Sequence, residues 1–225
     1  VRLYILSGAG LSADSGIPTF RDGGLWDEVA IDEVATHEAW LRDPQKVIAF
    51  FDARRQELAR YRPNAMHRFL ATLPNSIHLT QNVDDLCERA GGNPIHLHGK
   101  LTEVRCEACK EIFDIGYAPQ PKKCHFCGSH KLRPNVILFG EMAPNYRHLY
   151  TTEADIFIAI GTSGAVLDIA DIASCYPKSI LIDPVRRKRV TMFGQFEEYI
   201  DDYFTHYIPK RAAEAVEDLR KLLEE

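Results

Sequence analysis

Leu3-Tyr4-Ile5-Leu6-Ser7-Gly8-Ala9-Gly10-Leu11-Ser12-Ala13 runs an apolar segment straight into a glycine turn at the head of the chain. Residues 2–7 are rich in strand formers, and the run stops at Gly8 as a buried strand does when it enters a turn. The six residues that follow have the spacing G-x-G-x-x-(G/A). In that pattern the first glycine permits a tight turn and the second lets a pyrophosphate approach the backbone. The small sixth residue, Ala13, lets the next segment pack closely. Backbone N–H groups then face the phosphates. Read alone, the pattern fits a nucleotide cradle and a ligand-free strand-to-helix turn equally. The acidic residue expected about twenty positions further on is not singled out, because Asp27, Glu28, Asp32 and Glu33 all compete.

Further along, apolar runs again end at turns. Residues 77–80 read as a second strand followed by Gln81-Asn82-Val83-Asp84, and residues 95–98 as a third followed by Gly99. Residues 156–160 form the strongest buried run, with Gly161-Thr162-Ser163 behind it. Residues 179–182 make another strand, closed by Asp183-Pro184, and residues 203–206 a candidate edge strand. Between the strands lie helical signals. Asp43 precedes Pro44 as an N-cap precedes a proline at the first helical position. Val47, Ile48, Phe51, Arg54, Arg55 and Leu58 follow at helical spacing, Asn64 can cap a helix running to about Leu73, and residues 210–225 read as a terminal amphipathic helix. Strands alternating with helices predict an α/β fold: a Rossmann-like parallel sheet with helices on both faces. Ligands of such sheets sit at the carboxyl ends of the strands, which is where every motif above falls.

Composition sets the outer limits. With 225 residues the chain suits one main domain with a small insert, and 45% apolar residues suffice for an ordinary core. A net charge of −5 gives no general attraction to nucleic acid or to an anionic membrane. No apolar run is long enough to span a bilayer. The chain opens on Val1 rather than Met, so a natural start a little upstream is expected. Four of the six cysteines form Cys106-x-x-Cys109 and Cys124-x-x-Cys127. Two such knuckles supply four thiolates to one tetrahedral zinc ion and leave no open position, which marks a structural site. Paired C-x-x-C without a secretory leader points to a reducing compartment, and the expected location is the cytoplasm. Cys87 and Cys175 read as small packing residues. Around the cysteines the composition turns to Lys, Pro and polar residues. The expected organisation is therefore residues 1–100 as the first part of the Rossmann-like domain, with a helical insert at about 28–62, then 101–135 as a zinc-binding domain and 136–225 as the second part.

The polar residues behind the strands are candidates for chemistry. A neutral imidazole is a natural general base near neutral pH, and both His96 and His98 qualify; two positions apart, they share a strand face. Asn82 can orient a hydroxyl or a water, and Asp84 can hold an amide.

Taken together, the stretches Gly8-Ala9-Gly10-Leu11-Ser12-Ala13-Asp14-Ser15-Gly16-Ile17-Pro18-Thr19-Phe20-Arg21, Gln81-Asn82-Val83-Asp84-Asp85-Leu86, His98-Gly99, the four cysteines, Phe139-Gly140-Glu141 and Gly161-Thr162-Ser163 resemble the sirtuins, the NAD-dependent protein-lysine deacylases, in order and over most of the chain. The resemblance implies NAD as co-substrate, one structural zinc, and acylated-lysine proteins or peptides as partners of a monomeric enzyme. It makes His98 the base, with Asn82 beside it. It assigns Gly8, Ala9, Gly10, Ser12, Phe20 and Arg21 to the phosphates and nicotinamide ribose, and Gln81, Asn82 and Asp84 to ribose and carboxamide. Gly161, Thr162, Ser163 and, where asparagine is usual, Asp183 fall at the adenosine end. Ile137, Phe139, Gly140 and Glu141 would border the acyl-lysine tunnel and the peptide.

Phe51-Asp52-Ala53-Arg54-Arg55 is similar to the tyrosine-x-x-arginine signature of sirtuins that remove succinyl and malonyl groups, with Phe51 in the tyrosine position. Residues 51 and 54 share a helix face, so Arg54 is expected to reach an acyl carboxylate without the help of a phenolic hydroxyl. Removal of acetyl, and also of succinyl or malonyl, is therefore the expected activity. Protein mono-ADP-ribosylation on the same scaffold, and a non-catalytic zinc-ribbon binding module, are the competing readings.

Overall fold

A computed structural model describes residues 1–18, 31–191 and 194–224. Phe20 and Arg21, and Asp27 and Glu28, lie outside the described residues. The strands are β1 (Leu3–Ser7), β2 (Ser76–Thr80), β3 (Ile95–His96), β4 (Gly99–Cys106), β5 (Ile112–Asp114), β6 (Leu132–Val136), β7 (Ile156–Ile160), β8 (Lys178–Ile182), β9 (Lys188–Thr191), β10 (Gly194–Tyr199) and β11 (His206–Ile208). Six of them make one sheet in the order β11-β8-β7-β1-β2-β3, with every neighbouring pair parallel. The expected α/β architecture is therefore the one observed.

Every residue of β1 and β7 is buried, as in a parallel sheet covered on both sides. Alternation then divides the core. Leu3, Ile5, Ile156, Ile158, Ile160, Ile180 and Ile182 pack on one face against Met66, Phe69, Leu70 and Leu219. Tyr4, Leu6, Leu79, Phe157, Ala159 and Leu181 pack on the other against Ile169, Ile172, Ala173 and Phe204. The first face is covered by α5 (Ala65–Ala71) and the C-terminal helix Val216–Glu224, and the second by the helix Ile169–Ser174. Among the described residues no helix is long and apolar enough to cross a membrane.

Local sequence signals account for the helix that borders the site. α4 (Pro44–Leu58) carries proline at its start, and the Asp43 carboxylate accepts a hydrogen bond from the Lys46 N–H, a cap that stabilises a helix by about 1 kcal/mol. α5 opens with a full capping box between Asn64 and His67. α4 buries Val47, Phe51, Arg55 and Leu58 against Val34, Ala39, Leu101, Val136 and Leu138, and so fastens the helical insert to β4 and β6. These two strands and β5 form a separate antiparallel sheet in the order β5-β4-β6, whose small core consists of Cys106, Cys124 and Leu132 with Cys109 and Phe113.

Some expectations fail at the edges. The expected edge strand at residues 203–206 is a 3-10 turn over Ile200–Tyr203, and the strand begins at His206. The terminal helix starts at Val216 because a short 3-10 turn over Ala212–Glu214 precedes it. The third strand stops after His96, so His98 belongs to the turn that leaves it.

Candidate active site

The ends of β1, β2, β3 and β7 converge through a hydrogen-bond network that starts in the glycine turn. Gly8 N–H donates to Ile160 O and Gly10 N–H to Gly161 O, both at about the ordinary length (3.0 and 2.9 Å). A Cβ at Gly10 would lie 2.6 Å from the Gly161 Cα, and one at Gly8 would lie 2.8 Å from the Gly161 O. Gly161 itself has φ +57°, a left-handed conformation that favours glycine. The glycines are thus required by the contact of two strand-end turns, a tertiary constraint in addition to room for a phosphate. Gly10→Ala is expected to lower stability by about 1–3 kcal/mol through overpacking. A urea melt with the midpoint unchanged would remove this account.

Gln81, at the end of β2, ties three of the pieces together. Its side-chain amide donates to Thr162 Oγ1 at 2.9 Å, and its main-chain carbonyl accepts from His98 Nδ1 at 2.9 Å. Asn82 Nδ2 donates to Gly8 O at 3.0 Å and to Ser12 Oγ at 3.2 Å. Ser12 Oγ in turn donates to Asp84 at 2.8 Å, and the other Asp84 oxygen accepts from Leu86 N–H at 3.0 Å. Burial pushes the Asp84 carboxyl up, and these two bonds only partly oppose it. Gly8, Gly10, Ser12, Gln81, Asn82, Asp84, His98, Gly161 and Thr162 therefore belong to one connected cluster, with Ala9 and Ser163 beside it in the chain.

His98 Nε2 meets the hydroxyl of Tyr146 at 2.7 Å. The Gln81 carbonyl can only accept, so Nδ1 carries the proton and Nε2 holds a lone pair that accepts from Tyr146. Burial moves the His98 pKa below its ordinary value, and the Gln81 bond only partly offsets this. The result is a neutral imidazole with a basic nitrogen. His96 sits over the next carbonyl instead: its Nδ1 is 2.8 Å from Asn82 O and its Nε2 is 2.9 Å from Glu88 Oε1.

The other expected site residues among those described fall into three groups. Asp183, at the end of β8, is 5% exposed; it accepts from Val185 N–H at 2.8 Å and lies 3.8 Å from Arg187 Nε. Next to His98 on the side of β6, Ile137 N–H donates to His98 O at 2.8 Å. Phe139 is exposed and pairs with the segment before α3 (His37–Arg42), giving its N–H to Ala35 O and accepting from His37 N–H. Gly140 turns with φ +88°. Glu141 is fully engaged: it binds Arg133 at 2.7 and 3.1 Å, accepts from Leu138 N–H at 2.9 Å and lies 3.2 Å from His37. Its carboxylate pins the turn after β6 to β6 and to α3, and both oxygens are engaged.

Phe51 is 4% exposed and belongs to the core, at right angles to Phe50. It shares its buried face with Arg55 and Leu58, not with Arg54. Arg55 is the sealed arginine: Nε donates to Leu101 O at 2.7 Å and the guanidinium pairs with Asp52. Arg54 lies over the Phe50 ring at 4.8 Å with its Nη1 3.5 Å from Glu57, while its Nε is buried without a hydrogen-bond partner.

Sequence reading did not find Tyr146, Glu88 or Asn145. Tyr146 lies in a one-turn 3-10 helix, Pro144–Arg147, and Asn145 Nδ2 donates to His96 O at 2.7 Å. Only a proline at the first helical position announces that turn, and nothing in the pattern announces its contact with the histidines.

The four cysteines fit a metal. Their sulfurs all lie within 4.8 Å of one another, with Cys106 and Cys127 3.7 Å apart and Cys109 and Cys124 3.8 Å apart. A tetrahedron of sulfurs about 2.3 Å from zinc has edges of about 3.8 Å, so the donor set matches in kind, number and spacing.

The profile of the Sir2 family matches residues 8–168. An NAD-dependent protein deacylase of Campylobacter jejuni is 46% identical over 211 residues, covering 89% of this chain and 90% of that protein. A protein of the same description from Escherichia coli is 46% identical over 182 residues, covering 75% of this chain and 65% of its own. Among solved structures, a Sir2 homologue in complex with NAD has a TM-score of 0.81 to this fold at 35% identity, covering 99% of this chain and 89% of that one. Profile and relatives cover most of the chain, the fold matches as well, and the chain belongs to the Sir2 family, the sirtuins.

Proposed function

We propose that this chain is an NAD-dependent protein-lysine deacylase, producing nicotinamide, free lysine and O-acyl-ADP-ribose. The observation that carries the reading is the neutral His98 imidazole, hydrogen-bonded to Gln81 in the same cluster as the glycine turn. Bound NAD supplies the sugar carbon that accepts the acyl oxygen as nicotinamide leaves. The Gly8, Gly10 and Gly161 N–H groups are spent on Ile160 O, Gly161 O and Ile182 O, so in these two turns the main-chain N–H groups for the phosphates would be those of Ala9, Thr162 and Ser163, which the glycines leave clear of side-chain bulk. Asn82, fixed by Gly8 and Ser12, and Asp84 bind the ribose and carboxamide. His98 Nε2 takes a proton from a ribose hydroxyl that displaces the Tyr146 phenol from its lone pair. Ile137, Phe139 and Gly140 hold the peptide next to the crevice. The test is to incubate the protein with NAD and an acetyl-lysine peptide. Nicotinamide release that requires the peptide is expected; label transferred to protein instead of to O-acyl-ADP-ribose would replace this reading with ADP-ribosylation.

The acyl range follows from Arg54. A buried guanidinium nitrogen without an acceptor is costly, and the carboxylate of a succinyl or malonyl group would satisfy it. Phe51 is buried in the core away from Arg54 and supplies no second donor, and one charge-assisted bond is worth about 1.5–3 kcal/mol. Acidic-acyl turnover is therefore weakened but retained alongside deacetylation. Arg54→Met is expected to cut kcat/KM for a succinyl peptide by about tenfold or more, with the acetyl peptide within a few-fold. Equal effects on the two peptides, or no succinyl activity in the unaltered chain, would end the idea.

A further inference from the structure

His96 has no part in the chemistry above, yet its surroundings are more constrained than those of His98. The side chain is 11% exposed, and both ring nitrogens face oxygen, Asn82 O at 2.8 Å and Glu88 Oε1 at 2.9 Å. A main-chain carbonyl has no proton to give. Neither has Glu88, whose Oε1 also lies 3.1 Å from the Lys100 ammonium. Each ring nitrogen must then supply its own proton. We propose that His96 is a positioning residue held as an imidazolium, whose two N–H bonds fasten the Asn82 main chain to an anionic Glu88. The proposal rests on the reading that Asn82 serves the NAD site.

The surrounding charges agree with this. Glu88 from α6 (Leu86–Arg89), Lys100 from β4, Asp84 from the loop after β2 and His78 from β2 are the titratable groups around the ring. Burial alone would lift the Glu88 carboxyl, but the bond and charge of His96 outweigh it and hold the group down at about 2. Burial likewise opposes the charge on His96, and the Glu88 bond overrides it, so its pKa lies above the ordinary value. His78 is driven down to about 3 by burial and is neutral, so it adds no repulsion.

Deprotonation must leave a lone pair facing an acceptor. The charge-assisted bond to Glu88 is the stronger one, so the remaining proton stays on Nε2 and the Asn82 carbonyl is released. A folded pKa above the unfolded one also fixes the sign: the stabilisation is complete below the unfolded value and is lost as pH rises through the folded value. Catalysis should therefore fail on the alkaline side when His96 loses its proton, just as it fails on the acid side when His98 gains one.

Two measurements test this in the full chain. Nitrogen-15 spectra of the histidines, with His96 identified by its absence in His96→Gln, should show both ring nitrogens protonated at neutral pH. In Glu88→Gln both that titration and the alkaline limb of kcat/KM should move down together by about one pH unit. His96→Gln keeps one donor for Asn82 but no charge; kcat should fall about tenfold and the alkaline limb should vanish. A His96 ring with one bare nitrogen at pH 6 would overturn the proposal. So would an alkaline limb that stays put in Glu88→Gln while the ring titration moves. Absence of NAD-dependent turnover in the unaltered chain would instead remove the deacylase reading, and the spectra would still decide the charge on His96.

Discussion

His98→Ala is expected to reduce peptide-dependent nicotinamide release by about a hundredfold to ten-thousandfold, the range over which general-base help acts. The ring makes two hydrogen bonds, and the one that ties it to the main chain runs from Nδ1 to Gln81 O. Because His98 is only partly buried, water can replace that bond, so the fold should survive. What cannot be replaced is the lone pair on Nε2. Its competitor in the unliganded protein is the Tyr146 hydroxyl at 2.7 Å, and a substrate hydroxyl must take that place. The pH profile gives an independent check. Burial lowers the His98 pKa from its ordinary 6.5, and a base is lost when it is protonated. The acid limb of kcat/KM in the unaltered chain should therefore have its midpoint below pH 6.5, and any residual activity of the variant should lack that limb. Turnover within a few-fold of the unaltered chain, at unchanged zinc content and melting temperature, would remove His98 from the mechanism.

The parts that were legible in the sequence share one property: their signal is local. The apolar run Ile156–Ile160 and the turn after it occupy a handful of residues, and the sheet places them where the pattern says. Asp43-Pro44 and Asn64 announce their helices through hydrogen bonds that span three residues. Four cysteines in two C-x-x-C pairs are local in the same sense, and their sulfurs do meet. The illegible parts are contacts between distant segments whose residue types have many uses. Glu141 looks like a site carboxylate until Arg133 and His37 are seen to consume it. Arg54 and Arg55 are neighbours in sequence, yet only Arg55 is sealed against Asp52 and Leu101 O, because α4 rotates them about 100° apart. His96 and His98 are equivalent by spacing, and the difference between them lies in what stands opposite: a phenol for one, a carboxylate for the other. That difference depends on Glu88 and Tyr146, which the pattern does not mark.

Removing the metal should have the largest effect on the structure. The zinc end of the antiparallel sheet has almost no apolar core apart from the cysteines themselves, with Leu132 and Phe113 the other members of its cluster among the described residues, while Leu101 and Val136 at the far end pack against α4. Such a unit cannot offset its chain entropy by burial alone, and a structural zinc bound to four thiolates contributes about 10–16 kcal/mol. The protein is expected to hold one zinc per chain and to lose the order of residues 99–136 when a strong chelator strips it or when Cys124 is changed to serine. The damage should not stop there. Arg55 fastens α4 to Leu101 O and Ala118 O, and Arg133 fastens β6 to Glu141 in the turn beside the crevice. Activity should therefore fall with the metal although no cysteine belongs to the cluster at the strand ends. Hydrogen exchange separates the two levels: amides of β4 to β6 should lose protection first, while those of Ile156–Ile160, buried throughout, stay protected. A metal-free protein with full protection at residues 99–136 and full activity would show that these strands stand without zinc. Two disulfides in the native protein would exclude the site directly, since they need sulfurs about 2 Å apart, against the 3.7 and 3.8 Å found here.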